Sequence, residues 1–341
     1  MPCYVGLDAS KKFTSICVMD RSGVVIREGV VPSTPEDIAA FLRGGRLRYA
    51  RVGLEMWSMA AWLYVGLAKA GLPIICVNGV HAHGVLKART HKTDRNDARG
   101  IADLMRTGTF KPVHIKSGAS QEGQALSTAR RLLKTKITDL ENGIRGLLLS
   151  LGLKLDRGRA NTFESRARKL SQRHEFATSL TVPLLEVRSS MLTQLGELEK
   201  RINALASADP VCRLLMTAPG VGSLTALIFR SCIDEPLRFH SSRSIGPYLG
   251  LVPRTYQSGE FERRGRISKA GAQDVRSSLF MAAMTLTQVT RRNCWLKTWG
   301  NQIAARRGRK KALVAVARRL AVMLHHMWVT NTPFRWDLQP A

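Results

Sequence analysis

Lys92-Thr93-Asp94-Arg95-Asn96-Asp97-Ala98 is the stretch on which the fold turns. Ala98, Ile101, Ala102 and Met105 follow at helical spacing and Gly108 closes the run, so a helix is predicted with Thr93 or Asp94 as its cap. Asp94 and Asp97 share one face of that helix. Two carboxylates held close repel each other and favour a cation between them. Capping and the helix macrodipole account for acids in a first turn as well. The choice between these readings rests on the acids upstream.

Residues 4–8, 15–19 and 24–31 are apolar and rich in β-branched side chains, with Arg21-Ser22-Gly23 as turn chemistry, which predicts a three-strand meander. Ser33-Thr34-Pro35-Glu36 opens a helix that Gly44-Gly45 ends. Residues 49–54 read as a fourth strand, 60–70 as a helix and 73–77 as a fifth strand. That element order resembles an RNase H-like (RuvC-like) α/β domain. Asp8 then ends the first strand, Glu55 ends the fourth, and Asp94 and Asp97 open the helix after the fifth. Carboxylates at neighbouring strand ends can converge, and hard oxygen ligands select Mg²⁺ or Mn²⁺ over zinc. Two such ions clamp the attacking and leaving oxygens of a phosphodiester.

The 341 residues exceed one ordinary domain, and 44% hydrophobic content supports real cores. A formal charge of +28 points to a polyanion, most simply nucleic acid. No run of uninterrupted apolar residues is long enough to span a bilayer, and the first residues lack a signal-peptide pattern, so the expected location is cytoplasmic, on the nucleoid, without membrane contact. The six cysteines lack C-x-x-C spacing and read as buried thiols. The histidines lack ligand spacing, and His325 and His326 would face different ways on a helix.

Downstream, residues 121–155 and 184–205 show apolar positions alternating by four and three, as in a coiled coil; an intramolecular hairpin and an intermolecular coil both fit. Residues 156–173 between them are polar and basic, expected to form a mobile tip that is either a solvated loop or an RNA contact. Pro219-Gly220-Val221-Gly222 between helical runs reads as a phosphate-holding helix-hairpin-helix turn, or simply as a tight turn that needs glycine. From Arg254 onward bases dominate: Arg254, Arg263, Arg264, Arg266, Lys269, Arg276 and then Arg306 to Lys311, the last a phosphate contact or a disordered link. Ser258 followed by Gly259 in this basic loop is either a turn or a nucleophile; no histidine lies close in sequence to serve as its base. Residues 275–289 and 312–329 complete the helices.

Seven motifs occur here in one order: G-L-D-A-S-K at the start, Leu54-Glu55, K-T-D-R-N-D-A, P-G-V-G, Y-L-G-L-V-P-R, Q-S-G and G-R-I-S-K-A-G. Together they resemble, over nearly the whole chain, the DEDD transposases of insertion sequence family 110 with its 1111 subgroup. The resemblance implies a RuvC-like domain (1–118), a coiled-coil or helical-hairpin linker (119–208) and a mainly helical transposase domain with a catalytic serine (209–341). It implies that Asp8, Glu55, Asp94 and Asp97 hold Mg²⁺, with Mn²⁺ as a substitute, and that Ser258 forms a covalent 5′-phosphoserine. The implied partners are donor and target DNA, a non-coding bridge RNA that pairs with both, and further copies of the chain, dimers assembling into a tetramer that completes each half-site. Arg254, Arg263, Arg264, Arg266, Lys269, Gly220 and Gly222 are the expected nucleic-acid contacts. Two positions depart from the family's usual pattern: Met56-Trp57-Ser58 after the glutamate, and Ala272 where a polar residue is common. On the residues alone, a hydrolytic nuclease of the Holliday-junction-resolvase type, or a nucleic-acid-binding protein without catalysis, also fits.

Overall fold

Alternation builds the first layer. Along β1 (Pro2–Ala9), Cys3, Val5 and Leu7 are buried on one face, leaving Tyr4, Gly6 and Asp8 on the other. β2 (Phe13–Met19) and β3 (Val25–Pro32) fold back as an antiparallel meander. β4 (Arg48–Glu55) and β5 (Ile74–Val77) join on the far side of β1 and run parallel to it, giving the order β3-β2-β1-β4-β5. Parallel neighbours need crossovers. α1 (Pro35–Gly44) and α2 (Ala60–Lys69) supply them, the former capped by Thr34, whose hydroxyl accepts from the Asp37 N–H. Ile38, Leu42, Leu63 and Leu67 bury themselves against Val5, Leu7, Val52 and Leu54. Each such side chain contributes about 1.5–3 kcal/mol. An antiparallel meander extended by two parallel strands, with helices between, is the mixed α/β element order that the sequence predicts.

α3 (Asp94–Thr107) covers the opposite face. Thr93 is the cap, its Oγ1 accepting from the Asn96 N–H at 3.2 Å, and Gly108 at φ 76° ends the helix. The structure is a computed structural model that describes residues 2–79, 93–258 and 261–336, without the side chains of Ala160, Gln257, Ser258, Phe261, Glu262 and Arg264. The chain divides into two compact units, Met1–Lys116 and Ser117–Ala341.

The second unit is mainly helical. α4 (Gly118–Ser150) and α6 (Glu175–Ala208) form the expected arms and pack on each other within the chain, tied by Arg130 to Glu199 and by Arg188 to Glu141. Two expectations fail here. Residues 156–173 are not a loose tip: α5 (Phe163–Ser171) folds down and buries Phe163 and Ala167 against Ile144, Leu148 and Leu185. Beside it the Arg188 guanidinium, 4% exposed, pairs with Glu141 and lies over the Phe163 ring. The second arm also begins at Glu175 rather than residue 184, running through Pro183. A proline costs a helix interior about 3 kcal/mol. Burial of Ala177, Thr181 and Leu185 around it offsets that cost.

α7 (Pro210–Met216) and α8 (Ser223–Ile233) then lead through α9 (Ile245–Tyr248) to a hairpin, β6 (Pro253–Ser258) and β7 (Phe261–Ile267), and to α10 (Gln273–Gln288), α11 (Trp295–Arg307) and α12 (Arg309–Thr330). Phe229, Leu279, Ala283, Leu286, Val316, Leu320 and Leu324 are among the residues of their common core. α12 is long and apolar enough to cross a membrane by length and composition, but half of that stretch is buried in this core. Neither the hairpin nor α11 is foreseen from the sequence.

Candidate active site

The acidic corner follows from the register of the sheet. Leu7 pairs with Leu54, so Asp8 and Glu55 sit at adjacent positions at the ends of β1 and β4. Both lie on the face that α3 covers, because Gly6 and Gly53, two residues before each, touch that helix. A Cβ on Gly6 would stand 2.0 Å from the Ala98 carbonyl oxygen, and one on Gly53 would stand 2.7 Å from Met105 Cγ. Tyr4 packs at the level of Leu104 and Met105, and Gly6 at the level of Ala98 and Ala102. α3 therefore runs antiparallel to β1 and brings its first turn, with Asp94 and Asp97, toward the Asp8 end. Only glycine permits this approach of helix to strand.

Two arginines hold α3 down. Arg95 and Arg99 both donate to Glu28 on β3, Arg99 Nε reaching Oε1 at 2.5 Å. These bonds, that from Arg99 foremost, lower the Glu28 pKa from 4.5 to about 2. At the other end Arg51 Nη1 donates to the Met105 carbonyl at 2.9 Å. Sequence reading left all four side chains out; the signal was an i, i+4 arginine pair on the helix and the Arg27-Glu28 pair interrupting an otherwise apolar strand.

Asp8, Glu55 and Asp97 are half-buried and Asp94 is exposed. Among the described residues no cation pairs with Glu55, Asp94 or Asp97, whereas Glu28 takes two arginines and Asp103 one. Among the described residues, too, no three acids, histidines or cysteines stand close enough to hold one ion. The donor chemistry nevertheless fits a hard divalent cation, being carboxylate throughout. Gly79 leaves room at the corner: a Cβ there would meet Glu55 Oε1 at 2.4 Å. The cysteines do not compete. All six are buried, and burial pushes Cys17 and Cys212 up to about 12 and Cys76 to about 11, keeping them protonated.

Ser258 belongs to the second unit, where its backbone ends β6 opposite Phe261 at the tip of the hairpin. The side chains of Ser258 and Arg264 lie outside the described residues. Arg254, Arg263 and Arg266 line the hairpin, exposed. Its base is a clamp between two motifs, Tyr248-Leu249-Gly250 and Lys269-Ala270-Gly271. Gly250 at φ 67° and Gly271 at φ 72° each press bare backbone on the other motif: added Cβ atoms would meet the Ala270 nitrogen at 2.3 Å and the Tyr248 oxygen at 2.4 Å. Ser268 N–H donates to the Val252 carbonyl, and Lys269 N–H to that of Gly250. Arg276, counted from sequence among the free bases, donates through Nη1 to the Leu249, Ala270 and Gly271 carbonyls and locks the clamp. Lys269 itself is held at φ 57°, a left-handed conformation rare for a residue with a Cβ, with its side chain exposed.

Gly220 and Gly222 separate. Gly220 at φ 82° is demanded by packing, since a Cβ there would meet the Ala282 carbonyl oxygen at 2.3 Å, while Gly222 is exposed at the N-cap of α8 with open space around it. The departures from the family pattern also find their places. Ala272 is the N-cap of α10, which therefore starts without a side-chain cap. Trp57 packs on the α1–α2 core with its Nε1 buried and unpartnered.

A family described as "Transposase IS116/IS110/IS902 family" matches residues 212–298, and a DEDD transposase family of IS110 type matches residues 5–152. The chain is 30% identical to the transposase for insertion sequence element IS1111A of Coxiella burnetii, across 97% of this chain and 91% of that protein. It is 26% identical to a probable family 20 transposase of Pseudomonas aeruginosa, across 97% and 98%. Among solved structures, Thermus thermophilus RuvC matches 33% of this chain and 99% of its own, at 16% identity and a TM-score of 0.25.

Proposed function

Because this chain belongs to the IS116/IS110/IS902 family of transposases, we propose that it is an RNA-guided DNA recombinase whose nucleophile is Ser258 and whose metal ligands are Asp8, Glu55, Asp94 and Asp97. The observation that carries the reading is the sheet register, which sets Asp8 beside Glu55 on the face crossed by the first turn of α3. Glu55, Asp94 and Asp97 meet no basic partner among the described residues, and in a chain of charge +28 such carboxylates have a use for a divalent cation. Such a cation, Mg²⁺ or Mn²⁺, would neutralise charge on the scissile phosphate.

Ser258 Oγ attacks phosphorus, its proton leaving to solvent or a neighbouring base. A serine–phosphate ester forms as the bond to the 3′ oxygen breaks, and that oxygen departs as a 3′-hydroxyl after taking up a proton. The incoming 3′-hydroxyl of the partner strand reverses the step, so the bond energy is kept and no water is consumed. Arg254, Arg263, Arg264, Arg266 and Lys269 place phosphates around the hairpin, and Gly222 offers a helix N-terminus to another. Guidance by a non-coding bridge RNA, work in a tetramer that completes each half-site between copies, and a cytoplasmic setting on the nucleoid belong to the same reading. The charge of +28 supports nucleic acid as the partner.

Ser258→Ala tests it. With element-end DNA and guide RNA, the unmutated chain should give a protein–DNA adduct that survives denaturation, and the variant should give neither adduct nor joined product. Undiminished strand cleavage by the variant would instead mean a hydrolytic nuclease that uses the four acids and water.

A further inference from the structure

Within the helical unit, a cavity of about 770 Å³ opens between α11, the C-terminal half of α12, the short turn Ser242–Ser244 and residues 332–335. Its size is that of a ligand site. The lining divides by chemistry. Arg243, Arg319 and Arg335 stand exposed on its walls, and among the described residues no acid lines it. Trp295, Met323 and Met327 give it an apolar floor, with the Arg319 guanidinium 5.6 Å from the centre of the Trp295 ring.

The walls are braced. Ser242 Oγ and His325 Nδ1 are 2.8 Å apart, and His325 Nε2 lies 3.0 Å from the Pro236 carbonyl oxygen. His325 is 1% exposed, and its burial lowers its pKa, so it serves as a neutral strut. Phe239 meets its ring edge-on at 5.5 Å. On the other side the Phe334 N–H donates to Thr217 Oγ1 at 3.0 Å, and the Phe334 ring is buried. The cavity is thus formed before any ligand arrives.

We propose that this cavity receives an unpaired nucleotide of single-stranded nucleic acid, its base stacked on Trp295 and its flanking phosphates held by Arg243 and Arg335. An inorganic anion would use the arginines and leave the Trp–Met floor idle. A purely apolar ligand would strip water from the Arg243 and Arg335 guanidinium groups without pairing them. An acidic peptide answers the charge but brings no flat ring. A nucleotide uses both halves of the lining, and aromatic stacking tolerates any base. The inference rests on nucleic acid as the partner of this chain but not on Ser258 or the four acids.

The test uses the full chain and labelled ten-nucleotide strands of oligo-U, oligo-dT and an abasic backbone, read by fluorescence anisotropy. The unmutated protein should bind a base-bearing strand about tenfold more tightly than the abasic one. Trp295→Leu should erase that preference and leave abasic affinity unchanged, while Arg243→Gln should weaken all three. Whichever of oligo-U and oligo-dT binds more tightly tells whether the natural strand is RNA or DNA. Because Trp295 also packs on the core, a strand carrying 5-iodouracil is irradiated with the unmutated protein, and the crosslink should fall on the peptide containing Trp295. Equal affinity for abasic and base-bearing strands, or crosslinks only elsewhere, would overturn the proposal. Ser258→Ala should leave all these affinities unmoved, so this inference and the recombinase reading fail separately.

Discussion

The acidic corner and the serine hairpin are built by opposite means. Asp8, Glu55 and α3 stand on a five-stranded sheet whose two faces are both buried, so packing fixes where each acid sits. Ser258 stands at the end of a two-stranded ribbon with exposed arginines along it, and two strands alone are marginally stable in water. What positions the ribbon is its base, where Gly250 and Gly271 lock backbone on backbone and Arg276 gathers three carbonyls. One site is rigid by burial and the other by a clamp, so they should break differently.

The largest expected effects belong to the groups proposed above to carry the chemistry. Ser258→Ala and Asp8→Asn should each cut strand joining by on the order of 10⁴-fold. Their thermal melts should overlay that of the unmutated chain; a lowered melt in either would move that residue from chemistry to structure. Gly6→Ala comes next. The Ala98 carbonyl lies where its Cβ must go, so the first unit should lose about 3 kcal/mol or fail to fold. Gly250→Ala should give the contrasting result, with joining lost while the helical core melts nearly as before, since only the clamp is disturbed. If both substitutions melted their units alike, the difference between burial and clamp would vanish.

Glu28 gives a finer measure. Its pKa is lowered on folding, so it adds stability above the ordinary value of 4.5, and that share is lost as pH falls through about 2. Solvent around the exposed arginine Arg95 reduces what the shift is worth. Glu28→Gln should therefore cost about 1 kcal/mol at neutral pH and flatten the acid limb of the stability curve. An unchanged limb would detach Glu28 from the seating of α3. The smallest change is a gain: Ala272→Ser supplies the missing cap of α10 and should add about 1 kcal/mol. A gain confined to the melt, with joining unaltered, is the expected outcome.

The same contrast explains what could be read from the sequence. The sheet and its helices were legible because burial on a known face writes alternation and helical spacing into the chain; the Thr93 cap and Gly108 stop stand where the sequence puts them. The hairpin was not legible. Thr255, Tyr256 and Arg263 are all exposed, so no buried face marks a strand. α11 was missed for a like reason, with only Leu296 and Gly300 buried along it. α5 was hidden by its basic composition, although Phe163 and Ala167 sit one turn apart on the face it buries. The acids could be named as candidates, but their neighbourhood depends on Gly6 and Gly53, whose meaning appears only once α3 lies across them.

The closed end of the helical arms has a mechanical consequence. α4 alone has 33 residues, and at about 1.5 Å per residue it reaches about 50 Å from root to end. With Phe163, Arg188 and Glu141 sealing that end, the arm behaves as a strut and not as a tether. Whatever docks on Arg157, Arg159 or Lys169 is then held at a set distance from the root, so the arm measures length as a gauge does.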